Sequence, residues 1–342
     1  MRTIDWDQKK SCITIIDQTL LPEKLMLLEI RDLESLIEAI TTLRVRGAPA
    51  LGAAGGYGVA LIARSIKTKD VPGFVKQLRS EAIKLKNARP TAVNLSWGVE
   101  RVLNRALDAD NVQDIRNIAL EEAKMLAEDD VQRCREIGMH GAQLLKDGDT
   151  VLTHCNAGRL ACVDWGTALG VIRSAVEAGK NIRVISCETR PLNQGSRLTA
   201  WELAEDKIPV TLIADDMSGY VMRNRMVDAV IVGADRIVED AVFNKIGTYT
   251  HSVLAKAHGI PFYVAAPLST FDFRRKEKDV VIEMRGPEEL RRCGNRMLAP
   301  AGVPVLNPAF DATPMENVTA LITEEGVFRP PVDFKALEKL KM

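Results

Sequence analysis

Apolar positions along the chain change rhythm near residue 150. Before it they recur mostly at helical spacing; after it they come as short continuous runs between helical patterns. The start differs again: CITIIDQTLL, from Cys12, reads as a β-like run ending in turn chemistry at Pro22. DLESLIEAITTL follows with helical spacing, and further helical patterns cover 72–86, 96–107 and 112–145. Pro49, after Arg46-Gly47-Ala48, stands where the first turn of a helix accepts proline. The most apolar run, Gly47 to Ala63, is mostly Gly and Ala. It falls short of the roughly 20 residues a membrane span needs, so it predicts a tightly packed helix of a soluble protein.

In the second half TVLTHC (150–155), IRVISC (182–187), PVTLIA (209–214), DAVIVGA (228–234) and PFYVAA (261–266) read as strands. Helical patterns at 165–178, 197–205, 217–225 and 248–258 lie between them. Alternation of this kind predicts βαβ units and a parallel sheet. A later stretch, PVLNPAFDATPMENVTALITEEGVF, suggests a final strand, a loop with prolines and a closing segment. A single core rarely grows past about 250–300 residues, so 342 residues predict two domains. The expected fold is α/β. A small, mainly helical N-terminal domain with a short β start (1–128) precedes a Rossmann-like parallel-sheet catalytic domain (129–342), and the helix at about 112–145 bridges them.

Charge narrows the function. Lys plus Arg and Asp plus Glu both number 46, so there is no basic excess to favour nucleic acid or an acidic membrane. The N-terminus has no apolar signal core, and the six cysteines show no CxxC pair. Six reduced thiols in a cytoplasmic protein are the expectation. The histidines at 140, 154, 251 and 258 offer no obvious metal constellation.

Parallel sheets bind ligands beyond the carboxyl ends of their strands. That draws attention to Cys155-Asn156-Ala157-Gly158, Glu188-Thr189-Arg190-Pro191, Asp215-Asp216 and Asp235-Arg236-Ile237. A thiol near helix-terminal N–H groups can have its pKa lowered and act as base or nucleophile; a buried, inert cysteine is the plainer reading of Cys155. Asp235 follows a strand that becomes small at its tip, where burial would keep a carboxyl protonated for general-acid work. Capping or bracing a loop is its alternative role. His154 precedes Cys155 in a strand, so the two should face opposite ways and not form a dyad. Gly47 in RGAP and Gly247 in NKIGTY open loop-to-helix junctions, each beside a cation, Arg46 or Lys245. Free N–H groups there suit a phosphate, and capping glycines with solvated charges are the alternative.

The motifs VRGAPALGAAGGYG (45–58), RPTAVNLSWGVERV (89–102), THCNAG (153–158), ETRPLNQGSRLTAWEL (188–203), VGADRIVEDAVFNKIGTYTHSVLA (232–255) and IPFYVAAP (260–267) stand in one order. Together they resemble the methylthioribose-1-phosphate isomerase family over nearly the whole chain. Its superfamily also holds ribose-1,5-bisphosphate isomerases and the regulatory subunits of the translation-initiation guanine-nucleotide exchange factor. The resemblance implies an aldose–ketose isomerase of methionine salvage. It would convert 5-methylthioribose 1-phosphate to 5-methylthioribulose 1-phosphate without metal or organic cofactor, as a cytoplasmic homodimer.

The resemblance also implies roles. Cys155 would be the catalytic thiol and Asp235 the proton donor. Arg46, Gly47 and Ala48 would bind phosphate or sugar, and Arg89 would be a second substrate contact. Gln194 would contact the sugar, and Asn244 with Lys245 would close the site. Cys187 stands where the family often has Asp, and RLACVDWGTALG replaces its usual small-residue, Tyr-containing helix start. Both departures border the implied site. They leave 5-deoxyribose 1-phosphate or ribose 1,5-bisphosphate as alternative substrates. A non-catalytic regulatory subunit is the reading from another class.

Overall fold

The computed structural model describes residues 1–90, 93–294 and 296–340. The chain divides into two compact units: Met1–Cys134 with Gly158–Gly166, and Arg135–Ala157 with Thr167–Met342.

The first unit opens with an antiparallel meander, β1 (Ile4–Asp7), β2 (Cys12–Ile16) and β3 (Leu27–Ile30). Only β2 was legible in the sequence. In β1, IDWD, two apolar residues alternate with two acids, and Ile4 and Trp6 are buried while Asp5 and Asp7 are not. Helices α1 (Leu33–Thr41), α2 (Ala48–Ser65), α3 (Val71–Lys86) and α4 (Val93–Ala106) follow. Then α5 (Val112–Ala142) begins in this unit and ends in the next. Two starts are capped by carboxylates: Asp32 accepts from Ser35 N, and Asp70 from Gly73 N. Helix α2 is buried on every side from Ala50 to Ala63, which explains a pattern apolar all round. It crosses α4 at backbone contact: a Cβ on Gly98 would lie 2.0 Å from the Gly52 carbonyl oxygen.

The second unit is the expected parallel α/β fold. In chain order it runs β4 (Thr150–Thr153), α6 (Ala168–Glu177), β5 (Arg183–Cys187), α7 (Ala200–Glu205), β6 (Val210–Ile213), α8 (Ser218–Arg223) and β7 (Ala229–Val232). Then come β8 (Arg236–Ile237), β9 (Ala241–Lys245), α9 (Thr248–His258), β10 (Phe262–Ala265), a short hairpin of β11 (Arg292–Cys293) and β12 (Arg296–Met297), β13 (Phe310–Pro314), β14 (Ala320–Thr323) and β15 (Gly326–Phe328). The main sheet has the order β15-β14-β10-β7-β4-β5-β6, parallel except for the edge pair β14–β15. Strands β7 and β10 are buried at every residue, as a sheet covered on both faces requires. A smaller antiparallel sheet, β13-β9-β8, adjoins the end of β7 in sequence.

This order sets the site. After β4 the chain builds outward through β5 and β6, then returns to the other side of β4 with β7 and continues to β10. The topological switch point therefore lies between β4 and β7, where doubly wound sheets bind ligands at the strands' carboxyl ends.

Candidate active site

Cys155 and Asp235 follow the two strands that flank the switch point. Leu152 of β4 pairs with Val230 of β7. Cys155 lies two residues beyond the end of β4, and Asp235 three beyond the end of β7. The strands converge closely there, since a Cβ on Gly233 would lie 2.7 Å from the Ala157 Cβ.

Cys155 is half-buried and has φ 63°, the left-handed region uncommon outside glycine. Its backbone is held at both ends by buried threonines. The Cys155 N–H donates to Thr189 Oγ1 (2.8 Å), and Thr199 Oγ1 donates to the Cys155 carbonyl (2.6 Å). Thr189 Oγ1 donates in turn to the Cys187 carbonyl (3.1 Å), and Asp215 Oδ1 accepts from Thr189 N (2.8 Å). Thr199 ends one turn of π-helix, Gly195–Thr199, a form frequent at functional sites. Gly195 is required there, because a Cβ would lie 1.7 Å from the Cys187 carbonyl oxygen. Beside the thiol, Asn156 Nδ2 donates to Glu202 Oε1 (2.9 Å), and Glu202 Oε2 accepts from Arg173 Nη2 (2.8 Å). The turn thus rests on a fully buried ion pair.

Asp235 departs from expectation. Its N–H donates to the Phe243 carbonyl (2.9 Å), which fixes the backbone against β9, but the residue is exposed. The burial expected beyond the small residues at the tip of β7 is not observed.

The other residues named from the sequence fall on two elements of this unit, the π-turn and β9, and on two stretches of the first. Gln194, at the head of the π-turn, is buried, and its Oε1 has no hydrogen-bond partner. Asn244 is buried on β9 and donates to Thr248 Oγ1 (3.0 Å). Lys245 Nζ donates to the Ala309 carbonyl (2.8 Å) and lies 4.7 Å from the centre of the Phe310 ring. In the first unit Arg46 Nε donates to Gln18 Oε1 (3.2 Å). Gly47 has φ 94° and sits so close to Ala161 that a Cβ would lie 2.4 Å from its carbonyl oxygen. Helix α2 starts at Ala48 with no side-chain cap and no acid in its first turn. Arg89 is half-buried after α3; Thr91 of the same motif lies outside the described residues.

The two glycine junctions do not behave alike. At Gly247 the helix start is already occupied. Asp311 Oδ2 accepts from Gly247 N (2.7 Å) and Oδ1 from Tyr249 N (3.1 Å). A carboxylate stands where a phosphate was expected, and burial pushes Asp311 up to about 6 against the pull of those two amides. Asp311 comes from β13, paired with Asn244 of β9, and no local signal in the sequence marks it.

A parallel α/β domain with a thiol and a carboxylate on either side of its switch point has the architecture of an enzyme acting on a small molecule. The Initiation factor 2 subunit family profile matches residues 44–330, and the chain belongs to that family. A Methanosarcina acetivorans protein provisionally named methylthioribose-1-phosphate isomerase is 63% identical over 331 residues, 97% of this chain and 95% of that one. The crystal structure of 5-methylthioribose 1-phosphate isomerase from Pyrococcus horikoshii matches with TM-score 0.92 at 44% identity, covering 99% of this chain and 95% of that one. A structure titled translation initiation factor eIF-2B, subunit delta, from A. fulgidus also matches with TM-score 0.92, at 62% identity and full coverage of both chains. Among the described residues no helix is long and apolar enough to cross a membrane.

Proposed function

We propose that this chain is an aldose–ketose isomerase of methionine salvage. It converts 5-methylthio-α-D-ribose 1-phosphate to 5-methylthio-D-ribulose 1-phosphate, with Cys155 and Asp235 as the chemical pair. The observation that carries the reading is that both residues lie within three positions of the carboxyl ends of the strands flanking the switch point, with Cys155 held in a left-handed turn by two threonines.

A C1 phosphate locks the sugar as a ring, so no free aldehyde is available to enolise. Asp235 donates a proton to the ring oxygen as the C1–O bond breaks and its electron pair goes to that oxygen. Cys155, as thiolate, takes the C2 proton, and the C2–H electrons form a C1–C2 double bond. Proton return at C1 and loss of the C2 hydroxyl proton give the ketose with phosphate still attached. A hydride shift from C2 to C1 is the competing route. Because Asp235 is exposed in the free chain, bound substrate supplies the desolvation that keeps it protonated. Arg46, Gly47, Ala48 and Arg89 take the phosphate end by their match to the family motifs. Gln194 Oε1, an unspent buried acceptor, takes a sugar hydroxyl, and Asn244 with Lys245 completes the set. The protein acts in the cytoplasm as a homodimer.

Similarity to the A. fulgidus translation initiation factor eIF-2B, subunit delta, supports a second reading, a non-catalytic initiation-factor-like subunit. NMR of the purified chain with 5-methylthioribose 1-phosphate, 5-deoxyribose 1-phosphate and ribose 1,5-bisphosphate decides. Preferred conversion of the methylthio sugar supports the isomerase reading. Preference for another sugar moves the substrate. No conversion of any by folded protein overturns the reading and favours the subunit.

A further inference from the structure

The strand ends around Cys155 also gather three side chains that the proposed reaction does not use. His154 follows β4, Cys187 ends β5 and His251 lies in the first turn of α9. One donor atom from each lies within 4.8 Å of the others. All three are buried, at 1%, 0% and 1% exposure. His154 Nδ1 and His251 Nε2 are 3.1 Å apart, close to the roughly 3.3 Å edge of a tetrahedron built on Zn–N bonds of about 2.0–2.1 Å. His154 Nε2 lies 2.8 Å from the Ile246 carbonyl oxygen, so that nitrogen donates and Nδ1 keeps its lone pair on the side of His251. Metal-ligating histidines are oriented by such a backbone bond. His251 spends one nitrogen on His154, and its Nδ1 has no partner; hydrogen bonding alone does not satisfy the pair.

From this arrangement we propose that His154, Cys187 and His251 form a buried binding site for one borderline-soft dication of the Zn²⁺ class, with Asp215 completing it. Two imidazoles and a thiolate are the donor set such ions select. Asp215 Oδ1 lies 3.9 Å from His154 Nδ1, and its side chain is 30% exposed, which offers a route from solvent; its two oxygens accept the Thr189 and Arg190 N–H groups, which hold the carboxylate beside the cluster with lone pairs to spare for a fourth bond. One thiolate and one carboxylate neutralise a dication, as a buried site demands. Burial holds both imidazoles neutral, the state that ligates, with His154 adding to the effect on His251. Burial also pushes the Cys187 thiol up, so the entering ion displaces its proton, and binding releases one H⁺ per chain. Lys245 is the cation that opposes charge at His154, and its Nζ is held at the Ala309 carbonyl. A second cluster, Asp130, Cys134 and Cys162 in the first unit, is a weaker candidate. There Asp130 accepts from Val163 N at 2.7 Å, and the Cys134 thiol is hydrogen-bonded to Cys162.

The test titrates metal-stripped full-length protein with Zn²⁺ by calorimetry and with Co²⁺ by absorption, where a thiolate–cobalt charge-transfer band reports sulfur ligation. The wild type is expected to bind one ion per chain with that band. Cys187→Ser and His251→Gln should each weaken binding by more than about tenfold. Cys187→Ser should also abolish the band, while Cys155→Ser and Cys162→Ser keep both. Absence of binding by folded wild type, unchanged binding in Cys187→Ser, or loss of the band in Cys155→Ser overturns the proposal. Circular dichroism checks the fold of each variant, and His251→Gln carries the comparison should Cys187→Ser not fold.

Discussion

Replacing Thr189 by valine keeps the shape of the side chain and removes one hydroxyl. That hydroxyl accepts the Cys155 N–H at 2.8 Å and donates to the Cys187 carbonyl at 3.1 Å, at a residue with no exposure. A buried N–H left without its acceptor costs about 1–3 kcal/mol. Cys155 at φ 63° holds a conformation that itself costs about 1–3 kcal/mol and persists only while its surroundings impose it. The penalty is therefore relieved where the turn relaxes, which moves the thiol. If about 1.4–2.8 kcal/mol appears in the barrier, kcat falls roughly 10–100-fold. The assay is turnover of 5-methylthioribose 1-phosphate by NMR alongside urea unfolding of wild type, Thr189→Val and Thr189→Ser. Serine keeps the hydroxyl and should retain most activity. A valine variant within twofold of wild type, or a serine variant as impaired as valine, refutes the argument that this hydroxyl positions Cys155.

Gly47→Ala places a Cβ 2.4 Å from the Ala161 carbonyl oxygen at φ 94°, so it should raise KM about tenfold or more, with a smaller change in kcat and a stability loss of about 1–3 kcal/mol; unchanged KM and Tm refute the placement of phosphate at this junction. Glu202→Ala strips a buried partner from Arg173 and releases Asn156. It should cost about 3 kcal/mol in urea unfolding, at the low end for a broken buried pair because Asp206 still binds Arg173, and a loss under about 1 kcal/mol contradicts this. Asp311 should titrate near 6 by carboxyl carbon NMR. Because this acid's folded pKa is raised, the folded state binds the extra proton between about pH 4 and 6. The stability contribution, up to about 3 kcal/mol, is present below that window and lost as pH rises through it. A midpoint at or below about 4 refutes the assignment to burial.

How much of this was legible in the sequence follows from how local each feature is. Strands β4, β5, β7 and β10 announced themselves as short apolar runs, because a sheet covered on both faces makes its strands continuously apolar; the edge strand β6 was read from the same kind of run although two of its four residues are exposed. Helix α9 was read with its observed bounds, 248–258. The β9–β13 pair was not legible, because Lys245 and Phe310 meet only in the fold. Asp311 arrived with it and occupied the Gly247 junction. Asp235 was singled out by its place after a strand, but its exposure depends on what surrounds the strand end, which periodicity does not report. The same holds for His154, Cys187 and His251. Each sits on a different element, with no spacing that signals a ligand set, and only the packing of α9 against the strand ends brings them together. The alternation rule that set His154 and Cys155 apart presumes extended backbone, whereas Cys155 has already left the strand in a left-handed turn.

The most direct test of the central claim is NMR of 5-methylthioribose 1-phosphate turnover by wild type, Cys155→Ser and Asp235→Asn, each verified as folded. Conversion to the ribulose 1-phosphate by wild type and a loss of at least about 100-fold in each variant are expected. Near wild-type turnover by either variant would contradict the Cys155–Asp235 pair, and no turnover by the folded wild type would contradict the isomerase itself.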